Sequence, residues 1–404
     1  MYRLILTFFV SIFIYSGLSE KSQVAEICNN GLDDDANGLI DCFDPACDCL
    51  EVCESNYYYK CDADCIIDRK NSAFKLNLEW ESVRKWHEYN VPIVADVDGD
   101  GIPDIIGKAG PFVLGPIFAK NFQVYDGRTG ALKAEIRTPY WDYTSSAPAV
   151  ADVDRNGLAD VIFVTADHPS DSINRKLVCY EYKNGTYLQK WVSDAPIPRG
   201  VNIGTATPPG LADFNNDGIP EVYVGTYIYN ATNGKLLIKP DRRYNTGRSF
   251  KPFYDHIASF VAVADVLDDN VCPNCDGLEI VVGNQVFSVN IDLSNSNNNR
   301  LNLEVRGSFG KDGYTALADM DGDGDLDGVV SWHENSTGYI AIWDLQTAKS
   351  IGRTYSYSSP HYQVGLVNIG DFNGDKSPDI GISNRNNFRV LTFNGTSWNE
   401  LWRI

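Results

Sequence analysis

Five short stretches of this chain place oxygen-bearing side chains at positions 1, 3, 5 and 9 of a loop. The first set is Asp96, Asp98, Asp100 and Asp104. The others are Asp152, Asp154, Asn156 and Asp160; Asp213, Asn215, Asp217 and Glu221; Asp319, Asp321, Asp323 and Asp327; and Asp371, Asn373, Asp375 and Asp379. Alternate residues of a tight loop converge on one point, and the glycine usual at position 6, such as Gly101, relieves the turn. Carboxylates gathered this closely repel one another unless a hard cation sits among them. An all-oxygen set in a flexible loop favours Ca2+. An EF-hand would add a glutamate at position 12 between helices. Here position 12 is Gly107, Phe163 or Val330 and the flanks read as strands, so that motif is excluded. An Asp-rich turn holding no ion is the competing reading, and it gains weight where Asn215 or Asn373 replaces an acid.

The charge balance locates the acidity. With 34 Lys and Arg against 54 Asp and Glu, the formal net charge is −20. Each of the five loops carries three or four acids. Without them, and without three more in a similar N-terminal loop, the chain would be neutral. The negative charge therefore belongs to local sites and not to a general solvated face. Nucleic acid is excluded as a partner class, because phosphate binding needs clustered cations.

The loops must be positioned by something that repeats. A sixth, interrupted copy begins at Asp265, where an insertion through Cys272 and Cys275 separates it from Asp276 and Glu279, so a lost or rebuilt site is expected there. The first acids, at 96, 152, 213, 265, 319 and 371, recur every 52 to 61 residues. Within each unit, short β-branched runs such as Glu279-Ile-Val-Val282 alternate with turn sequences such as Asp126-Gly-Arg-Thr-Gly130. A fourth run follows, as in Leu132–Ile136, Leu188–Trp191 and Leu303–Arg306. Four short strands per unit predict an all-β chain, a β-propeller of four-stranded blades, with a solenoid as the alternative. The first strand of each unit lacks clean alternation, which predicts an inner strand buried on both faces. Six blades are visible. Phe74–Trp80 reads as one more fourth strand, which predicts a seven-bladed design with the inner three strands of the seventh missing.

The stretch from Phe309-Gly310 through Tyr314 to Asp327 resembles the FG-GAP repeat of integrin α-subunit propellers and the related VCBS-type repeats of secreted bacterial proteins. The resemblance covers roughly residues 75–404. It implies structural Ca2+ between the first two strands of a blade, often with a position-7 carbonyl as added ligand, and partners docking through loops on the opposite face. No Arg-Gly-Asp occurs and no ligand-contact motif matches, so no contact residues carry over.

The N-terminal region reads differently. Met1–Ser19 has the basic start, apolar run and small-residue end of a secretory signal peptide. Residues 20–66 hold seven of the ten cysteines and read as a small cross-linked module, followed by the propeller over 67–404. Its segment from Glu26 to Cys47 resembles the Cys-bracketed, Asp-rich metal-binding motif of secreted bacterial surface proteins. Oxygens fall at Asp33, Asp35, Asn37 and Asp41, with Asp44 further on, again a Ca2+ set. Cys272-Pro-Asn-Cys275 predicts a local disulfide, and Cys179 is either an eighth partner of the module or a buried thiol.

Enzyme signatures such as GxSxG, HExxH and the P-loop are absent, and the five histidines (His87, His168, His256, His333, His361) are scattered singly. The expected function is a secreted or cell-surface, calcium-stabilised module that binds extracellular protein or carbohydrate, with no membrane span in the mature chain. Trp80, Trp191 and Trp402, near outer strands, are expected to pack between blades. The alternative is a calcium-dependent polysaccharide lyase of the rhamnogalacturonan type. The want of a His/Lys/Arg cluster in the strand-connecting loops argues against it.

Overall fold

The computed structural model describes residues 78–82, 92–109, 118–143, 146–165, 174–198, 207–241, 244–248, 259–268, 270–273, 275, 277–359, 364–384 and 387–404. All fall in the unit Leu78–Ile404. The signal peptide and the cysteine-rich module, with Asp33, Asp35, Asn37, Asp41 and Asp44, lie outside the described residues.

The repeats fold as antiparallel sheets in chain order. Sheet 1 is β1–β4 (Ile93–Ala95, Asp104–Ala109, Phe118–Asp126, Leu132–Tyr143). Sheet 2 is β5–β8 (Ala149–Ala151, Asp160–Thr165, Asn174–Lys183, Thr186–Val192), with a short β9 (Ile197–Pro198) pairing to β7. Sheet 3 is β10–β13 (Gly210–Ala212, Glu221–Val224, Tyr227–Asn230, Leu236–Ile238), and sheet 4 is β14–β17 (Ala262–Ala264, Glu279–Val282, Gln285–Asn290, Arg300–Arg306). Sheet 5 is β18–β21 (Tyr314–Ala318, Asp327–Glu334, Thr337–Asp344, Ser350–Ser358), and sheet 6 is β22–β25 (Val364–Gly370, Asp379–Asn384, Phe388–Phe393, Trp398–Arg403). Six four-stranded blades of an all-β propeller account for the described chain. Among the described residues the only helix is the single 3-10 turn Ser296–Asn298, and none is long and apolar enough to cross a membrane.

Burial departs from expectation within each blade. The second strands, not the first, are closed off on both faces: every residue of β6 and β15 is buried. The first strands β10 and β14 are half-buried throughout, and Val94 in β1 is 64% exposed. The reason is position: a first strand has a neighbour on one side only, whereas a second strand is flanked on both sides.

Five apolar clusters lie between successive sheets, from 1–2 through 5–6. Phe122 of β3 meets Phe163 of β6 with ring centroids 4.4 Å apart, and both are fully buried. Each such side chain contributes about 1.5–3 kcal/mol on burial, so the packed faces and not the loops hold neighbouring sheets together. None of the five clusters joins sheet 6 to sheet 1. Of Phe74–Trp80, residues 78–80 are described and are not in a strand. Trp80 nevertheless seats on blade 1, its Nε1 donating to the Gly127 carbonyl at 2.9 Å. Trp191 at the end of blade 2 does the same to Ala231 of blade 3 at 2.9 Å, whereas Trp402 is 42% exposed.

Two regularities position the loops. First, the residue before each loop is small and pairs with the acid at position 9: Ala95 with Asp104, Ala151 with Asp160, Ala212 with Glu221, Ala318 with Asp327 and Gly370 with Asp379. Ala264 pairs with Glu279 in the same way despite the insertion. Second, at corresponding places five of the six fourth strands carry a one-residue insertion relative to the third: Lys133, Lys190, Leu237, Glu304 and Leu401; β4 has a further irregularity between Arg137 and Asp142. Such a bulge re-aims the extra side chain.

Candidate metal centres

The position-9 acid is the floor of each loop. Asp104, Asp160, Glu221, Glu279, Asp327 and Asp379 are at most 2% exposed. In every blade one of its oxygens accepts the backbone N–H of position 2, from Val97, Val153, Phe214, Val266, Met320 and Phe372, at 2.8–3.4 Å. The position-1 acid organises the backbone above it. Asp96 accepts the amides of Gly99 and Gly101 at 2.9 and 2.8 Å, and Asp319 those of Gly322 and Gly324 at 2.7 and 3.1 Å. Position 5 accepts the amide of position 7, as Asp100 does from Ile102 and Asp217 from Ile219.

These bonds gather the side chains on one side of the turn. Asp96, Asp98 and Asp104 each bring an oxygen within 4.8 Å of the others, as do Asp152, Asp154 and Asp160, and Asp319, Asp321 and Asp327. The third and sixth loops differ because asparagine occupies position 3. The Asn215 amide donates to Asp217 at 3.1 Å and that of Asn373 to Asp375 at 2.8 Å.

Electrostatics separates the loops further. Burial, then the charges of Asp321, Asp323 and Asp344, pushes the Asp327 carboxyl up to about 7. Burial and the neighbouring Asp323 also raise Asp321. The Glu221 carboxyl is pushed up to about 7 by burial, with Asp217 and Asp213 adding to it. In the first two loops burial also raises Asp104 and Asp160, but a lysine intervenes and partly offsets it. The Lys133 ammonium lies 2.8 Å from Asp98, 2.8 Å from Asp100 and 3.0 Å from Asp104. That of Lys190 lies 2.7 Å from Asp154 and 2.9 Å from Asp160.

A divalent ion fits this chemistry on one observation in particular. The Asp379 Oδ1 atom is buried in the sixth loop without a hydrogen-bond partner, as is Asp98 Oδ1 in the first, although burying an unsatisfied carboxylate oxygen is costly. In the third, fifth and sixth loops, whose carboxylates pair with no lysine among the described residues, Asp213, Asp217 and Glu221, Asp319, Asp321, Asp323 and Asp327, and Asp371, Asp375 and Asp379 would hold the ion.

The fourth blade is built otherwise. Its buried Glu279 sits near Asp265, and burial together with that charge pushes the Glu279 carboxyl up to about 7. Asp276 lies outside the described residues. Cys272 and Cys275 are disulfide-bonded, as their spacing predicts. Beside them opens a cavity of about 500 Å³ whose lining includes Asn215, Glu279, Ser288 and Glu304. Cys179 is a free, buried thiol.

Lys133, Lys190 and Glu304 are the site residues that sequence reasoning missed. Their runs, Leu132–Ile136, Leu188–Trp191 and Leu303–Arg306, mark fourth strands, and the signal was a charged residue inside each run.

The acidic loops join first to second strands, at one end of the sheets. The segments that join second to third strands and one blade to the next leave and re-enter at the other end. Most of these, including 110–117, 166–173, 199–206, 249–258 and 360–363, lie outside the described residues. His87, His168, His256 and His361 lie outside the described residues, and His333 is buried near the end of β19.

Residues 152–224 match the FG-GAP-like repeat. The FG-GAP-like match runs from the first acid of the second loop through β11, so it takes in both the acidic loop and the blade-to-blade step. No curated protein matches the chain. Among solved structures, the V. cholerae biofilm matrix protein Bap1 aligns with 78% of this chain and 48% of its own, at 17% identity and a TM-score of 0.44. The exotype rhamnogalacturonan lyase YesX aligns with 76% of this chain and 61% of its own, at 13% identity and 0.41. BamB from Moraxella catarrhalis aligns with 77% and 75%, at 13% identity and 0.42. The chain thus spans about half the length of the biofilm protein.

Proposed function

We propose that this chain is a calcium-stabilised, secreted or cell-surface β-propeller that binds extracellular protein or carbohydrate without chemistry. The observation that carries the reading is the segregation of the acidic loops. They cluster their carboxylates at one end of the sheets, each closing a strand pair over a buried acid, which is a staple's placement. The connections at the other end are left for recognition. Screening the intact protein against glycan and matrix-protein arrays, in calcium and in EDTA, tests it. We expect a calcium-dependent hit, and uniform silence would count against the reading.

A second reading is a calcium-dependent polysaccharide lyase. Incubation with pectic polysaccharides, read by the absorbance of unsaturated products, separates the two.

A further inference from the structure

We infer that Lys133 and Lys190 are built-in counter-cations. In the first two blades the ammonium takes the place that a divalent ion takes in the other loops. Calcium dependence is then confined to blades 3, 5 and 6 and is strongest in blade 5. This deepens the calcium reading proposed above and rests on it.

Position is the first argument. Both lysines are the extra residue of the fourth-strand bulge, between Leu132 and Ala134 in one blade and between Gln189 and Trp191 in the next. Backbone register therefore delivers them to the same point of two sheets, and neither is a surface side chain that has wandered in. The same place holds Leu237 in blade 3 and Leu401 in blade 6. In blade 5 the corresponding irregularity follows Ile351, and no lysine or arginine is paired with Asp319, Asp321, Asp323 or Asp327 among the described residues.

Geometry is the second. The carboxylates that Lys133 meets are those of positions 3, 5 and 9, three of the loop's own candidate ligands, and an ammonium has three donors to give. Lys190 meets positions 3 and 9, contacting both oxygens of Asp160 at 3.1 and 2.9 Å. Calcium binds oxygens at about 2.3–2.6 Å, so an ion on these oxygens and an ammonium on the same ones exclude each other. The lysines are 18% and 14% exposed, which shields the pairs from solvent screening. Displacing either breaks two or three charge-assisted bonds before an ion gains any.

Hydrogen exchange resolved by peptide, on the full chain in EDTA and in about 1 mM calcium, tests this. Where calcium is about ten times its Kd, protection of a binding loop rises about tenfold. We expect that rise across 213–221, 319–327 and 371–379, and no change across 96–104 and 152–160. Lys133→Met should make the first loop respond to calcium and leave the second silent, and Lys190→Met should do the converse. Wild-type first and second loops responding as strongly as the fifth would overturn the inference while leaving the calcium reading intact. Silence of every loop would instead remove the calcium reading itself. The wild-type comparison decides the matter even if a methionine variant folds poorly.

Discussion

Lys376 stands at position 6 of the sixth loop, where the other intact loops have glycine, and its backbone holds a φ of 71°. A side chain in the left-handed region costs about 1–2 kcal/mol, from which the greater chain entropy of glycine must be subtracted. Lys376→Gly should therefore raise stability by about 1 kcal/mol, seen as a higher denaturation midpoint with and without calcium. A lower midpoint would mean that the lysine side chain acts elsewhere. Asp327→Asn should change sign with conditions. In EDTA it relieves a buried charge crowded by Asp321 and Asp323 and should stabilise by about 1–2 kcal/mol. In calcium it removes a ligand and should destabilise, so a variant that behaves alike in both solutions would disprove the assignment. Cys179 is fully buried, and burial drives its thiol far above the ordinary range. It should resist alkylation in the native protein and react on unfolding, as peptide mass spectrometry would show.

At the scale of strands and turns, Gly234 shows why a turn residue is fixed by its neighbour. It has a φ of 73°, and a Cβ there would lie 2.5 Å from the ring of Trp191 in the preceding blade. Gly130 stands under Trp80 in the same relation. Gly234→Ala should cost about 2 kcal/mol or more, through the backbone and the displaced indole together, with a shift in tryptophan emission. These turns were legible in sequence, and so were the strands, because turn residues and apolar runs are local signals. The acid at position 9 was legible for the same reason. The lysines were not, because they reach acids 33 and 36 residues away, brought there by a one-residue irregularity in pairing that no local pattern announces. Burial of second strands in preference to first was hidden as well, since it depends on which strand lies at the edge of the sheet.

For the molecule as a whole, the balance between packing and ions sets what calcium can do. At a Kd on the order of 10⁻⁴ M and millimolar calcium, each occupied site adds about 1.4 kcal/mol to the native state. Three such sites add about 4 kcal/mol, a sizeable part of a margin of ~5–15 kcal/mol but less than the apolar faces between sheets supply. EDTA should thus lower the thermal midpoint without abolishing the fold, and an unmoved midpoint would refute calcium stabilisation. The constancy of the pairing between Ala264 and Glu279 has a different bearing. Sheet 4 keeps the alignment of its five siblings although its loop is longer and clasped by a disulfide. What lies between a small residue and a buried acid is therefore exchangeable cargo, bounded by two fixed fasteners. Descendants of this chain could change what they display at that end of a blade without renegotiating the blade. A designer could do the same by grafting a foreign peptide between Ala264 and Glu279.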